Sequence, residues 1–252
     1  MVGCVKLRMA TSAHVRDRSV AGGVVGFLNR YFYFCMSLVI AAVVAYGFGH
    51  TVDHFLIHAA PVRPWVLWLH GAVFSGWVLF FILQTSLVRV RKVAVHRTLG
   101  WFGVGWAALM LVVGLSTSVV MDRFNLRILH SPDAVPFLAI QVNDLMCFAV
   151  FVGLAVLWRR KPEYHRRAML LASCALMAAA FSRFPWIPDH WFYLGVDTLV
   201  LMGIVRDWIV MRRVHPVYLF GLQAMVVVQA WAGYAAFDAP TWWLRIAGRV
   251  IY

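Results

Sequence analysis

The chain divides into about seven apolar runs, each near the ~20 residues a helix needs to cross a hydrocarbon core, with little sequence between them. A backbone inside that core must satisfy its own hydrogen bonds, so open runs of this length predict helices. The windows are 31–58, 65–88, 99–120, 136–158, 167–185, 191–211 and 216–236. Composition agrees, since 63% hydrophobic and 13% charged residues leave too few polar groups to cover a soluble domain. The expected fold is an all-α integral membrane protein of about seven transmembrane helices over 31–236, with a basic cytoplasmic tail over 1–30 and an extracytoplasmic interfacial tail over 237–252.

A formal charge of +13 would suggest nucleic acid as the partner of a soluble protein. Here the cations lie in the N-terminal segment and in VRVRKVAVHR (88–97), WRRKPEYHRR (158–167) and MRRVH (211–215), alternating with turns that lack them. Basic turns stay on the cytoplasmic side, so the partner is the bilayer and not a nucleic acid. An odd number of spans then puts the N-terminus inside and the C-terminus outside, where Trp242 and Trp243 suit the headgroup layer. The N-terminal segment has no continuous apolar h-region and reads as retained. Cys4, Cys35, Cys147 and Cys174 are scattered and read as packing residues.

This topology sorts the polar residues into two layers. GHTVDHFLIH, residues 49–58, places His50, His54 and His58 at four-residue intervals with Asp53 beside them. On a continuous helix that spacing forms a ladder. His70 returns to the same depth on the next span, so these four histidines are candidate ligands for a metal, zinc or iron, with one position open for substrate. Asp53 or Asp144 would orient a ligand or accept a proton. Asp144 and Asp197 lie within spans, where an ionised carboxylate costs roughly 3 kcal/mol and calls for a partner; Arg183 is the candidate partner, and Asp53, Asp144, Arg183 and Asp197 are the candidate catalytic residues. His130, Asp133, Asp189 and His190 complete the outer layer, with Gln141 and Asn143 somewhat deeper. His96, His165, His215 and Asp207 form the inner one among many arginines.

Two resemblances follow from the inner layer. His70, Gln84, the His96-Arg97-x-x-Gly100 run, the His165-Arg166-Arg167-x-Met169 run and Arg183 resemble the pattern of a functionally uncharacterised family of bacterial predicted inner-membrane proteins. That resemblance covers about half the chain and implies a membrane fold in the bacterial inner membrane without an activity. A looser one, to di-haem transmembrane b-type cytochromes, implies His96 and His165 as axial ligands of a haem b, Arg97, Arg166 and Arg167 beside its propionates, and His70 with His130 as a second pair.

The function expected from these residues is a metal- or haem-dependent redox protein acting on a quinone or other lipophilic substrate. Three further classes fit: a zinc-dependent membrane hydrolase, a metal-independent cyclase or isomerase of a lipid or terpenoid using a buried acid, and a transporter or non-catalytic membrane subunit.

Overall fold

A computed structural model of the chain describes residues 2–188 and 190–252, with side chains from Gly23 onward. Asp189, Cys4 and the cations before Gly23 therefore lie outside the described side chains. All the regular structure in the described residues is helical: α1 (Val2–Gly49), α2 (Val66–Arg89), α3 (Val93–Arg127), α4 (Ala134–Leu157), α5 (Pro162–Ala175), α6 (Ala178–Phe181), α7 (Phe192–Met211), α8 (Pro216–Gly233) and α9 (Thr241–Ile251), with π-helical turns at Asp53–Ile57 and Tyr234–Asp238. Five segments are long and apolar enough to cross a membrane: Gly23–Gly49, Val66–Arg89, Val93–Arg127, Ala134–Leu157 and Pro216–Asp238. The protein is thus a polytopic all-α membrane protein.

The remaining two windows depart from simple rods. The window 167–185 is broken at Leu176 and Met177 between α5 and α6, and the chain beyond Phe181 leaves the helix. Non-helical backbone inside a bilayer is tolerated where protein covers it, and at the break Met177 is 5% exposed, with Cys174, Ala175 and Ala178 beside it at most 3%. α7 carries Arg206 and Asp207 inside its last turns, both buried. The charged residues of the last turns of α7 therefore lie inside the bundle.

Small residues set the registers. A Cβ on Gly76 would stand 2.3 Å from the Trp106 ring and one on Gly103 2.5 Å from Phe80, so α2 and α3 meet closely with Gly76 and Gly103 opposite aromatic rings. Trp106 seals that contact by donating its indole N–H to the Val73 carbonyl at 3.1 Å. Gly114 meets Leu145 of α4, and Trp77 packs edge-on against Phe148. Around these contacts Met36, Ile40, Met110, Leu171, Val200 and Met225 make one continuous core. Cys147 and Cys174 are buried and unpaired within it.

The α2–α3 register brings Gln84 level with the first turns of α3, and carries α3 outward about 21 Å past the level of His70, fourteen residues from Val113 to Arg127 at 1.5 Å each. That extension holds the C-terminal segment. Arg123 donates to the Val250 and Ile251 carbonyls at 2.8 and 2.9 Å, and Arg127 to that of Tyr252 at 3.0 Å, so two α3 cations cap the end of α9. The C-terminal segment, expected at the headgroup layer, docks on protein along α9. Trp243 is buried and donates to the Pro136 carbonyl at 3.0 Å, while Trp242 remains 43% exposed.

Candidate functional site

The outer histidine ladder does not form. α1 stops at Gly49, and the following turn is π-helical, with the His58 N–H donating to the Asp53 carbonyl five residues back at 2.8 Å. The four-residue spacing of His50, His54 and His58 thus no longer corresponds to one helix face. His50 uses both ring nitrogens on backbone carbonyls, Tyr46 and Arg183, each at 2.8 Å. Both nitrogens thus face backbone carbonyls of the protein itself. His58 is fixed on the Asp53 carboxylate at 2.6 Å, and both are exposed, as is His54. His70 stacks on Phe74 with ring centroids 4.0 Å apart, its Nδ1 buried without a partner. Among the described residues no three His, Cys, Asp or Glu side chains are grouped to hold a metal ion.

His50 does have a structural task. A Cβ on Gly47 would lie 2.4 Å from the Ala180 carbonyl oxygen, so α1 and α6 touch backbone to backbone. One turn on, the His50 ring reaches the Arg183 carbonyl just after α6 breaks, satisfying an acceptor the helix no longer serves.

The expected ion pairs of Arg183 are also absent among the described residues. Arg183 lies over the Phe48 ring, 4.3 Å from its centroid, and donates to the Ala179 carbonyl one turn before it. Asp144 is held instead by neutral donors: the Tyr193 hydroxyl at 3.0 Å and the Asn143 amide at 3.3 Å, with Asn143 also donating to the Tyr193 oxygen at 3.1 Å. Asp197 is half-buried, with one carboxyl oxygen unpartnered. His130 and Asp133 lie in the exposed α3–α4 turn. The α3 extension carries His130 far outward of His70, so the suggested second histidine pair does not assemble. His190 stacks on Phe237, centroids 4.2 Å apart.

The inner histidines do meet. His96, in the first turn of α3, and His165, in the first turn of α5, have ring centroids 6.1 Å apart and planes at 79°. His165 is oriented by a 2.9 Å hydrogen bond between its Nδ1 and the Ala155 carbonyl of α4, which leaves Nε2 as its free nitrogen. His96 has a buried Nδ1 that no protein group engages. Their location follows from sequence: each histidine lies three residues into a helix that begins just after a basic turn, and the α4–α5 turn is short enough for His165 to fold back on Ala155. Of the two flanking arginines, Arg97 is exposed. Arg166 is bonded to Glu163 at 2.5 Å and lies over the Tyr33 ring.

Beside this pair is an ion network that the spacing of residues gave no direct sign of. Arg167 donates Nε and a terminal nitrogen to the two Asp207 oxygens at 2.8 and 2.7 Å, and its other terminal nitrogen to the Glu163 carboxylate at 2.7 Å. Arg206 donates to Asp207 at 2.9 Å and to Asn29 of α1 at 2.8 Å. Arg167 and Asp207 are completely buried. The fork-to-fork geometry is the strong form of such a pair, and it ties α1, α5 and α7 together. Asp122 was also missed: it is 2% exposed and accepts from Gln141 at 3.1 Å.

No family model, curated protein or solved structure matches the chain.

Proposed function

We propose that this is a seven-span protein of the bacterial inner membrane, N-terminus cytoplasmic and C-terminus outside, and that it is a redox protein whose iron centre is held by His96 and His165. The alternation of basic turns supports the topology, with α5–α6 and α7 as the two crossings beyond the five long apolar helices. The pattern shared with the inner-membrane family runs through His70, Gln84, His96 and His165 and supports the location.

The observation that carries the redox reading is the convergence of two imidazoles from different helices, one already oriented through Nδ1 by a backbone carbonyl. That second contact is how ligating histidines are normally fixed in tautomer and direction. The donor set fits an axial pair on haem b or two ligands to a directly bound transition metal: His165 presents Nε2, and His96 has a buried nitrogen without a protein partner. Arg97, exposed beside His96, would be free to meet a propionate, whereas Arg166 is bonded to Glu163. Bound iron would supply one-electron chemistry that no side chain here offers. Lipophilic donors or acceptors such as quinones would reach the site from the bilayer.

Absorption spectroscopy and elemental analysis of protein purified from haem-replete cells test this. A Soret band that shifts on reduction and is lost in His96→Ala and His165→Ala is the expected result. A colourless, metal-free preparation of folded protein would sink the proposal.

One observation favours a second reading. Asp144 sits among neutral donors, Tyr193 and Asn143, so it can gain or lose a proton without breaking an ion pair. This suits a metal-independent acid acting on a lipid or terpenoid, and a metal-free protein whose turnover vanishes in Asp144→Asn would select it.

A further inference from the structure

Asp122 of α3 is 2% exposed, and its one hydrogen bond among the described residues is accepted at Oδ1 from the Gln141 amide of α4, at 3.1 Å. Two polar atoms of this contact are left over. Asp122 Oδ2 and Gln141 Oε1 are both buried, and neither has a partner. Each belongs to a group already in the contact, since the two carboxyl oxygens share one carbon and the amide nitrogen and oxygen share another. An ionised carboxylate and an amide oxygen both only accept, so the leftover atoms cannot satisfy each other. One proton on Oδ2 makes it a donor, and acid and amide then close a ring of two hydrogen bonds with nothing unpaired.

No cation serves Asp122 instead. Among the described residues it takes part in no ion pair. Arg123 and Arg127, on its own helix, donate to the carbonyls at the end of α9. Arg63, in the α1–α2 turn, lies over the ring of Phe124, which is more than half a turn round α3 from Asp122. On α9, Arg245 and Arg249 are exposed, as are His130 and Asp133 in the α3–α4 turn and Asp238 before α9. Asp144, the next acid along α4, lies one turn deeper than Gln141 and is held by Tyr193 and Asn143. A carboxylate enclosed with a single neutral donor is costly to keep ionised, whereas a carboxylic acid bonded at both oxygens is not.

We infer that Asp122 is a proton-binding site, and that the acid–amide pair it forms with Gln141 clasps the outer ends of α3 and α4 where α9 is seated. The Asp122–Gln141 contact is the one side-chain hydrogen bond between those two helices among the described residues. α9 is held by both of them: Arg123, next to Asp122, bonds its last carbonyls, and its Trp243 donates to the Pro136 carbonyl near the start of α4. Loss of the proton to solvent leaves an enclosed negative charge with one neutral donor, and water reaches that charge only as α3 and α4 part. The seat of α9 then loosens, and return of the proton restores it. Neither the iron centre nor Asp144 takes part, so this site stands apart from the function proposed above.

The test pairs infrared spectroscopy with amide hydrogen exchange on the purified full-length protein in detergent. At pH 7 the difference spectrum between wild type and Asp122→Asn should contain the carbonyl stretch of a carboxylic acid, which a carboxylate lacks. In alkaline buffer that band should bleach, and exchange over α9 should become at least about fivefold faster in the wild type than in Asp122→Asn at the same pH, as the loss of a local hydrogen-bonded contact requires. Asparagine offers an acceptor and a donor in the same two places and does not titrate, so that variant keeps α9 seated throughout. A difference spectrum at pH 7 that shows only a carboxylate overturns the inference, as does α9 exchange that stays equal in the two proteins at every pH. If Asp122→Asn does not fold, Gln141→Leu decides: the acid band must move to the higher frequency of an unbonded carboxyl, and a band unchanged from the wild type refutes the pair.

Discussion

Asp207 and Asp144 are both carboxylates held inside the helix bundle, and opposite means keep them there. Asp207 is completely buried and receives three N–H donors from two guanidinium groups, Arg167 and Arg206. Asp144 is half-buried and receives a phenol and an amide, both neutral. Every polar atom of the Arg167 and Asp207 side chains is engaged, so this pair has no capacity for anything else, while Arg206 Nε and the Tyr33 and Tyr218 hydroxyls around it stand without partners. The network acts as architecture, a clamp on α1, α5 and α7. Around Asp144 the partners are neutral, so a proton can come or go there without breaking an ion pair, whereas at Gln84 and His96 buried polar atoms stand without partners.

The difference predicts unequal responses to the same chemical change. Asp207→Asn removes the charge that two buried arginines share, and breaking one partner out of such a pair costs about 3–5 kcal/mol. Thermal unfolding in detergent should show a large drop in melting temperature or a failure to accumulate folded protein. Replacing Arg167, Arg206 and Asp207 together by apolar residues of similar volume removes all three buried charges and should restore more than half of the loss. An Asp207→Asn protein that melts like the wild type would erase the contrast.

Asp144→Asn should behave quite differently. Asparagine keeps an acceptor for the Tyr193 hydroxyl and leaves no charge stranded, so the change should stay within about 1 kcal/mol. Tyr193→Phe should be the more damaging of the two, at roughly 1–2 kcal/mol, because it leaves a carboxyl with only the longer Asn143 bond. The same unfolding assay checks both. If Asp144→Asn proves as harmful as Asp207→Asn, then Asp144 belongs to an ionic network and the acid-chemistry reading loses its footing.

How far the sequence carried can be seen in the same residues. Hydropathy and the basic turns located the helices because lipid imposes one rule on every exposed residue, and the histidines of the inner layer were found because helix starts after basic turns share a depth. His50, His54 and His58 misled because their spacing carries meaning only on a continuous α-helix, and nothing in the spacing announces a π-helical turn after Gly49. Arg183 with Asp144 misled because charge alone proposed the match, whereas the Tyr193 hydroxyl, at the start of α7, could reach Asp144 and carries no charge to attract notice. Asp207 had a visible signal, an acid beside Arg206 within a span, but its partner on α5 depends on helix rotation. Asp122 lies just past the expected end of its span at 120, where the apolar pattern gives no sign of burial.

The smallest effect expected lies where the clamp meets the α7–α8 turn. His215 is the N-cap of α8, and its Nδ1 accepts the Val217 backbone N–H at 3.2 Å ahead of Pro216 at the first helical position. That acceptance requires an unprotonated nitrogen. Burial and the Arg167 guanidinium, with a lesser push from Arg166, hold the imidazole below its usual range against the opposing pull of Asp207 and Glu163. The unfolded chain, with an ordinary histidine near pH 6.5, therefore binds the proton more readily than the folded one. Stability must then fall as pH drops below about 6.5 and level off once the folded imidazole is also protonated. The loss is bounded by the worth of one cap, about 1 kcal/mol, and should appear as faster hydrogen exchange at the Val217 amide at pH 5 than the pH alone accounts for. His215→Asn keeps an acceptor that does not titrate and should flatten this part of the acid response; if it leaves the response unchanged, the proton is being taken up elsewhere in the clamp.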